Sequence, residues 1–294
     1  MDCYFIALPL LYQVYHAKLN PNYSIMESER AMKINRVKQL MSKNQIAFGT
    51  YVSIADPKIV ELIGVAGFDA AFIDMEHTTF SLEQVENMIR ACEVTGITSI
   101  IRTPGNDPHL MLRLLDAGAQ GIQVPHVRNR KEAIQARDAS RYAPLGTRGA
   151  LSTSRAAKYG AVSWRNHTET SNENILLSLM IEDKEGLEHL EDIASVDGVD
   201  LIAMGPSDLS ESLGLTEPNH PELWKEIGKI ATVLKNLGKA KLALTHGHPT
   251  LTADISQLME WNVGYSNVQP DIVKLIRQHY SDKLVELRSK TSQP

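Results

Sequence analysis

A repeated alternation of short apolar runs and helical segments is the feature that most constrains how this chain can fold. Each apolar run has the length of a buried strand, and each is followed by residues with helical periodicity or by room for a helix. Strands that alternate with helices pair in parallel, and eight such units predict an α/β protein with a (β/α)₈ TIM barrel. The predicted strands lie at residues 47–54, 68–74, 98–102, 121–124, 176–182, 199–204, 242–245 and 263–267.

Local signals agree with this alternation. Ser81 followed three residues later by Gln84 predicts a capping box, and Gly67 and Gly118 predict helix ends. No Gly-rich phosphate fingerprint follows the first predicted strand, which disfavours the nearest rival, an open dinucleotide-binding sheet. Residues 141–174 are predicted to be one long irregular segment. The predicted helices lie at residues 32–42, 57–66, 81–94, 107–117, 130–140, 184–194, 221–238, 251–260 and 271–288.

Composition excludes several classes of protein. The 294 residues are 43% apolar, which is enough for a large core in one barrel, although the length alone equals about two average domains. The net charge is −5, and no long run of like charges predicts a nucleic-acid or membrane partner. Two cysteines, Cys3 and Cys92, cannot form a disulfide framework and suit a reducing compartment. The predicted location is therefore cytoplasmic.

The first residues differ from the rest of the chain. Residues 3–12 are mostly apolar but too few to cross a bilayer, and the start lacks the basic residues and cleavage site of a secretory signal. Residues 1–31 are therefore predicted to be an extension outside the fold, with 32–294 forming a single catalytic barrel. Met26 and Met32 both precede a helical pattern, so either is a candidate for the natural start.

Charged and polar residues cluster where the predicted strands end. The active site of a (β/α)₈ barrel lies at the carboxyl ends of its strands, so these positions carry the functional hypothesis. A charge that emerges from an apolar strand is costly to bury unless it is paired or bound to a metal. The residues at these positions are Asp74-Met75-Glu76-His77, Arg102, His126, Glu182, Gly205-Pro206-Ser207-Asp208 and His246-Gly247-His248.

Two carboxylates on neighbouring strands predict a cation site. Glu182 ends the fifth strand, and Asp208 follows the sixth within a tight turn that begins at Gly205. Oxygen ligands of this kind favour Mg²⁺ or Mn²⁺ that keeps several waters. Free N–H groups in the same turn are positioned to hold an anionic ligand.

A cation and a base complete the candidate site. Arg102 offers a guanidinium fork to a carboxylate or an oxyanion. His77 is a candidate general base, with Asp74 and Glu76 close to it in the sequence. A metal, an arginine and a base together fit the stabilisation of an enolate formed from a small 2-oxo acid.

Six motifs, in their order along the chain, resemble the HpcH/HpaI aldolase family. The resemblance covers about residues 45–275 and identifies the chain as a class II, metal-dependent pyruvate aldolase, similar to 4-hydroxy-2-oxoheptanedioate and 2-dehydro-3-deoxyglucarate aldolases. It implies a barrel of the phosphoenolpyruvate/pyruvate type. The motifs are DMEH (74–77), IRTPGNDP (101–108), LLDAGAQGIQVP (114–125), RYAPLGTRG (141–149), IE (181–182) and GPSDLS (205–210).

The resemblance implies roles for the matching positions. Glu182 and Asp208 would bind Mg²⁺, Mn²⁺ or Co²⁺, which would chelate the 2-oxo acid. The N–H groups of Ser207 and Asp208, in the turn that includes Gly205 and Pro206, would hold its carboxylate. Arg102 would steady the enolate oxygen. Cleavage of a 4-hydroxy-2-oxo acid through a metal-bound pyruvate enolate would then yield pyruvate and an aldehyde.

Further implied roles concern the proton and the assembly. His77 with Asp74 would handle the proton through a metal-bound water, and Glu76 would lie just behind the residues that touch ion and substrate. His126, which stands where several bacterial aldolases have a different residue, is predicted to lie beside Glu76 in the same position behind them. Asp116 matches an aspartate that reaches a neighbouring subunit's site. The resemblance therefore implies a homo-oligomer, typically a hexamer built as a trimer of dimers.

Some positions depart from the family pattern. Met180 stands where enterobacterial members have a glutamine, and residues 269–271 are unlike the usual end of strand 8. The DMEH segment and the VPHV segment around His126 are also similar to macrophomate synthase, which decarboxylates oxaloacetate and traps the enolate. Oxaloacetate decarboxylation is therefore the alternative function.

Two other interpretations remain. A barrel that only binds a 2-oxo acid would be favoured by loss of a metal carboxylate, the arginine or the histidine, and all of them are present. His246 and His248 could be ligands of a hydrolase-type metal, but that motif normally follows the first strand.

Overall fold

Each strand of the structure pairs in parallel with the next one along the chain, and the eighth pairs with the first, which closes a barrel. The computed structural model describes residues 34–291. The predicted (β/α)₈ barrel is confirmed, and the strand bounds differ from the prediction by no more than two residues. The strands are β1 (Ala47–Val52), β2 (Ala70–Asp74), β3 (Thr98–Arg102), β4 (Gly121–Val124), β5 (Leu176–Ile181), β6 (Leu201–Met204), β7 (Lys241–Ala243) and β8 (Val263–Asn267).

Helices follow the strands and cover the barrel. The capping box at Ser81 and Gln84 is present, with each side chain bonded to the other residue's backbone N–H. A single turn of 3₁₀-helix spans Lys158–Gly160. The helices are α1 (Arg36–Ser42), α2 (Pro57–Val65), α3 (Leu82–Thr95), α4 (Pro108–Asp116), α5 (Arg130–Ser140), α6 (Trp164–Asn174), α7 (Lys184–Glu188), α8 (Leu190–Ala194), α9 (Pro206–Ser212), α10 (Pro221–Leu237), α11 (Ile255–Glu260) and α12 (Ile272–Thr291).

Two helix predictions were wrong. The segment 141–174, predicted to be irregular, ends in α6, which begins at the N-cap Ser163. This helix is mostly polar and buries only His167 and Ser171, so it lacks the apolar periodicity that reveals a helix in a sequence. The predicted helix 184–194 is divided at His189 into α7 and α8.

Three predictions fall on residues 1–33. The extension 1–31, the alternative starts at Met26 and Met32, and the first residues of the predicted helix 32–42 lie outside the described residues. Within residues 34–291, no helix combines the length and the apolar character needed to span a membrane.

The pleat of the strands separates two apolar cores. Outward-facing residues such as Ala71 and Ile73 pack under the helices, whereas Ala70 and Phe72 point into the barrel interior. Because successive strand residues face opposite sides, the inward face of β2 continues to Asp74 at its carboxyl end.

The other inward-facing positions follow the same rule. Ile100, Leu176 and Leu201 lie in the inner core, and counting forward in twos from each leads to Arg102, Glu182 and Gly205.

The amino ends of the strands are covered by α1. Asn35, fully buried at its N-cap, donates from Nδ2 to the carbonyl oxygens of Gln120 (2.9 Å) and Asn174 (3.0 Å). Val37 of this helix packs into the inner core. The barrel is therefore closed at this end, and the open end carries the residues that follow the strands.

The last helix stands apart from the barrel. No residue of α12 is buried, although apolar side chains recur on it at helical spacing. The exposed apolar residues of α12 are Val273, Leu275, Ile276, Tyr280, Leu284, Val285 and Leu287.

Gly49 lies where β1 pairs with β8, and the close packing around it gives a test of the fold. A Cβ at Gly49 would lie 2.1 Å from Tyr265 Oη and 3.0 Å from the carbonyl oxygen of Ala70. We expect Gly49→Ala to lower the free energy of unfolding by about 1–3 kcal/mol, as overpacking of a core does, measured by urea denaturation.

Gly105→Ala is the matched control, because nothing lies within 4 Å of its Cβ position. Since the closest clash is with a hydroxyl, Gly49→Ala should cost less in a Tyr265→Phe background. Equal costs in both backgrounds would contradict this account of the packing around Gly49.

Candidate active site

An arginine and two carboxylates form a buried ion network at the open end of the barrel. Arg102 donates from Nε to Asp74 Oδ1 (2.9 Å) and from Nη2 to Asp74 Oδ2 (2.7 Å). Its Nη1 lies 2.9 Å from Glu76 Oε2, and the three side chains are only 9–10% exposed. Asp74 also accepts a hydrogen bond from the backbone N–H of Glu76. The network holds the guanidinium in one orientation.

The charge of Arg102 is secured by these partners. Burial lowers the pKa of Arg102, but the hydrogen bonds and charge of Asp74, together with the charge of Glu76, outweigh burial and leave the pKa raised. Its guanidinium also lies 5.9 Å from the centre of the Phe72 ring. Arg102 therefore keeps its positive charge within the buried network.

A histidine joins this network to the glutamate at the end of β5. His126 donates its backbone N–H to Glu182 Oε1 (2.8 Å), and its Nδ1 lies 3.0 Å from the same oxygen. On the other side of the ring, Nε2 lies 3.3 Å from Glu76 Oε1. Glu76, His126 and Glu182 offer ligand atoms within 4.8 Å of one another, so they form a possible metal site.

The chemistry of this group fits a divalent cation. Burial raises the pKa of Glu182, and the charges of Glu76 and Asp208 raise it further, against the opposing effect of the His126 hydrogen bond and charge. Glu182 is 3% exposed. Several carboxylates that repel one another in a buried site are stabilised by a bound cation.

The other predicted metal ligand lies at the mouth. Asp208, in the first turn of α9, is exposed, as is Ser207, whereas Gly205 and Pro206 are buried. Asp208 is close enough for its charge to act on Glu182, but the compact ligand group joins Glu182 to Glu76 and His126. The role of Asp208 as a ligand stays a prediction.

Gly205 leaves room for the Glu182 carboxylate. A Cβ at Gly205 would lie 2.8 Å from Glu182 Oε2 and 2.7 Å from Met180 Cε. Any larger residue would displace the carboxylate, so the turn that begins α9 and the end of β5 are fitted to each other.

His77 lies beside the candidate site, whereas Asp116 lies at the other end of the barrel. The His77 side chain is 68% exposed, and its Nε2 lies 3.6 Å from Glu76 Oε2, whereas both carboxylate oxygens of Asp74 are bonded to Arg102. Asp116 ends α4 and accepts from Arg148 (2.7 Å). Because helices run antiparallel to the strands, this end of α4 lies away from the chain's own site.

The histidine pair after β7 has backbone partners in its own loop. His246 Nδ1 lies 3.1 Å from the carbonyl oxygen of Ala253, and His248 Nδ1 accepts from the N–H of Thr250 (3.2 Å). Burial lowers the pKa of His248, although the charge of Asp208 acts in the opposite direction. These contacts stabilise the loop beside the site.

The sequence analysis missed a polar group next to the candidate metal site. Gln123 points into the barrel from β4, accepts from Ser178 Oγ (3.0 Å) and donates to Met180 Sδ (3.4 Å). The sequence feature that could have revealed Gln123 is a glutamine inside the otherwise apolar strand β4, where it is buried. Its amide lies next to Met180, which stands where enterobacterial members of the family have a glutamine.

Comparison with known proteins gives consistent matches. Residues 47–256 match the HpcH/HpaI aldolase/citrate lyase family. The 2-dehydro-3,6-dideoxy-6-sulfogluconate aldolase of Pseudomonas putida is 31% identical over 252 residues, which cover 85% of this chain and 96% of that protein. The 5-keto-4-deoxy-D-glucarate aldolase of Enterobacter sp. (strain 638) is 33% identical over 239 residues, which cover 81% and 91%.

Solved structures agree with these matches. Citrate synthase SbnG superposes with a TM-score of 0.75 at 30% identity, covering 87% of this chain and 98% of that one. Macrophomate synthase superposes with a TM-score of 0.76 at 23% identity over 88% of this chain and 90% of that one, which shows a shared fold. The sequence-based assignment of the family is confirmed.

The unfavourable environment of the Glu182 carboxylate, caused first by burial and then by the neighbouring carboxylates, can be tested without substrate. Because its folded pKa is raised, Glu182 favours folding at low pH, and this contribution is lost as the pH rises through the raised pKa. We expect chelator-treated Glu182→Gln to have a higher Tm than wild type at pH 7, with the difference disappearing below the ordinary carboxyl pKa of 4.5.

Added Mn²⁺ should make the Tm of wild type higher than that of Glu182→Gln at pH 7. An ion at 100 times its Kd stabilises a protein by about 2.7 kcal/mol, and the variant should lose most of that gain. Glu169→Gln, an exposed substitution on α6, is the control. A variant less stable than wild type in chelator at pH 7 would contradict the unfavourable environment of the Glu182 carboxylate.

Proposed function

The chain belongs to the HpcH/HpaI aldolase/citrate lyase family and is a carbon–carbon lyase of the aldolase type, and we propose that it cleaves a 4-hydroxy-2-oxo acid into pyruvate and an aldehyde with a divalent cation. The observation that carries this proposal is the group of ligand atoms of Glu76, His126 and Glu182, which lie within 4.8 Å of one another, next to the ion pair of Arg102 with Glu76. The relatives named above, a sulfogluconate aldolase and a ketodeoxyglucarate aldolase, support a sugar-acid substrate with a 2-oxo group.

Glu182 and Asp208 would hold Mg²⁺, Mn²⁺ or Co²⁺, and the bound cation would polarise the 2-oxo group of the substrate. The backbone N–H groups of Ser207 and Asp208, in the first turn of α9, would bind the substrate carboxylate. The cation and these N–H groups would together fix the acid end of the substrate.

Arg102 stabilises the charge that develops during cleavage. As the C3–C4 bond breaks, its electron pair moves toward the ketone oxygen, which becomes an enolate oxygen. A guanidinium fixed by Asp74 and Glu76 needs no reorganisation to meet this charge.

His77 is the proposed proton carrier. The C4 hydroxyl must lose a proton as the aldehyde forms, and the enolate carbon must gain one to yield pyruvate. His77 lies at the mouth of the site with Glu76 beside it, so a proton can be taken up and returned there. Asp74 acts through Arg102 in this arrangement.

The proposal is tested by pyruvate release. Purified protein would be assayed with a panel of 4-hydroxy-2-oxo acids and with oxaloacetate, with Mg²⁺, Mn²⁺ or chelator. We expect metal-dependent pyruvate release from the hydroxy-oxo acids. Activity on oxaloacetate alone would favour the decarboxylase, and no metal-dependent release from any substrate would favour a non-catalytic barrel.

Two variants assign the roles. Glu182→Gln should abolish metal-dependent turnover while the fold is kept.

Arg102→Ala should lower kcat by about 100-fold or more with a smaller change in KM, because the charge that Arg102 stabilises exists mainly in the transition state. An unchanged kcat would remove Arg102 from this role.

We also propose that the chain acts as a homo-oligomer, as a hexamer if it follows the family pattern, in the cytoplasm. The exposed apolar face of α12 supports an interface between copies. Leu62 on α2 and Met259 on α11 are also exposed, and these helices flank the place where a helix after β8 packs in a closed barrel. A second copy's α12 would cover both surfaces.

Charges on that face should separate the copies. We expect Ile276→Lys combined with Leu284→Lys to give a smaller species than wild type by size exclusion with light scattering. The matched control is Gln278→Lys with Asp282→Lys, since these two residues share the polar side of α12. A monomeric wild-type protein would contradict the proposed assembly.

A further inference from the structure

We propose that the imidazole of His126 is itself a ligand of the divalent cation, through Nδ1, which makes the site a mixed nitrogen and oxygen site rather than one of carboxylates and water. This inference rests on the metal dependence proposed above. It concerns a residue that the sequence analysis placed only behind the ligands.

The backbone of His126 is held in an unusual conformation that aims the residue at Glu182. His126 has a φ of 53°, in the left-handed region that non-glycine residues rarely adopt. In this conformation its N–H bonds to Glu182 Oε1 (2.8 Å) and its Nδ1 lies 3.0 Å from the same oxygen. Strained conformations of this kind are concentrated at functional sites.

The spacing of the donor atoms suits adjacent ligands on one ion. With bonds of about 2.1 Å, neighbouring donors on an octahedral ion lie about 3 Å apart. The His126 Nδ1 to Glu182 Oε1 distance is 3.0 Å. One imidazole nitrogen is therefore placed where a second ligand next to Glu182 belongs.

The other ring nitrogen has the partner that a ligating histidine needs. A histidine that binds a metal through one nitrogen usually donates its other N–H to a carboxylate, which fixes the ring. His126 Nε2 lies 3.3 Å from Glu76 Oε1, and Glu76 is held in turn by Arg102 at 2.9 Å. Glu76 would thus orient the ligand, and Arg102 would orient Glu76.

A nitrogen ligand changes which ion the site prefers. Imidazole suits Zn²⁺ and the other later transition-metal ions, whereas Mg²⁺ takes oxygen ligands. The same geometry also fits a competing role, in which His126 carries a proton shared between Glu182 and Glu76 and binds no ion. The two roles differ in whether the imidazole nitrogen contacts the metal.

The test is pulsed electron paramagnetic resonance of the full-length protein loaded with Mn²⁺, which detects ¹⁴N bonded to the ion. His126→Asn and His126→Gly are the variants, because both residues accept a left-handed backbone and therefore preserve the fold. His109→Asn, at an exposed position on α4, is the matched control. Equilibrium dialysis measures the affinities for Mn²⁺ and Mg²⁺ in parallel.

We expect a ¹⁴N coupling in wild type and in His109→Asn that is lost in both His126 variants. Affinity for Mn²⁺ should fall at least about tenfold, the lower limit for loss of a supporting residue, with a smaller change for Mg²⁺. Added imidazole should restore the coupling in His126→Gly by filling the vacated space.

The possible failures are distinct. Bound Mn²⁺ without ¹⁴N coupling in wild type, or a coupling that survives in both variants, would overturn the role of His126 and leave the proposed function standing. Wild-type protein that binds neither ion would overturn the metal dependence itself.

Discussion

The period-two pleat of a closed parallel barrel is the constraint on which the rest of this structure depends. Once β2, β3 and β5 face Phe72, Ile100 and Leu176 into the interior, the same face of each strand carries a charged residue at its end or just after it. Shifting one strand by a single residue would turn its charge toward the helices. The apolar core and the polar site are therefore set by one register, because they are successive parts of the same inward face.

The site divides its charges into two groups. On one side Arg102 is paired with two carboxylates, Asp74 and Glu76, which fix its orientation. On the other side burial and the neighbouring carboxylates disfavour the charge of Glu182, and the backbone N–H and ring of His126 act in the opposite direction. His126 lies between the two groups, so the ion pairs of Arg102 and the carboxylate of Glu182 are connected through its ring. Under the proposed metal dependence, an ion at Glu182 would act on the orientation of Arg102 through His126 and Glu76.

The sequence predicts the barrel and the strand-end residues well, because strands of a barrel are continuous apolar runs and a charge that interrupts one is conspicuous. Arg102 and Glu182 were found in this way. α6 was missed because a mostly polar helix has no periodic signal. The contact of His77 with Glu76, and the left-handed backbone of His126, could not be read from the sequence, since side-chain partners and backbone dihedrals depend on the loops after the strands.

The end of the barrel that α1 closes limits how a ligand can reach the interior. Asn35 ties α1 across that end, and the interior next to it is filled by side chains such as Phe72 and Ile100. The residues of the candidate site are therefore approached from the carboxyl ends of the strands. Under the proposed cleavage, pyruvate and the aldehyde would both enter and leave on that side, so the two products would share one route.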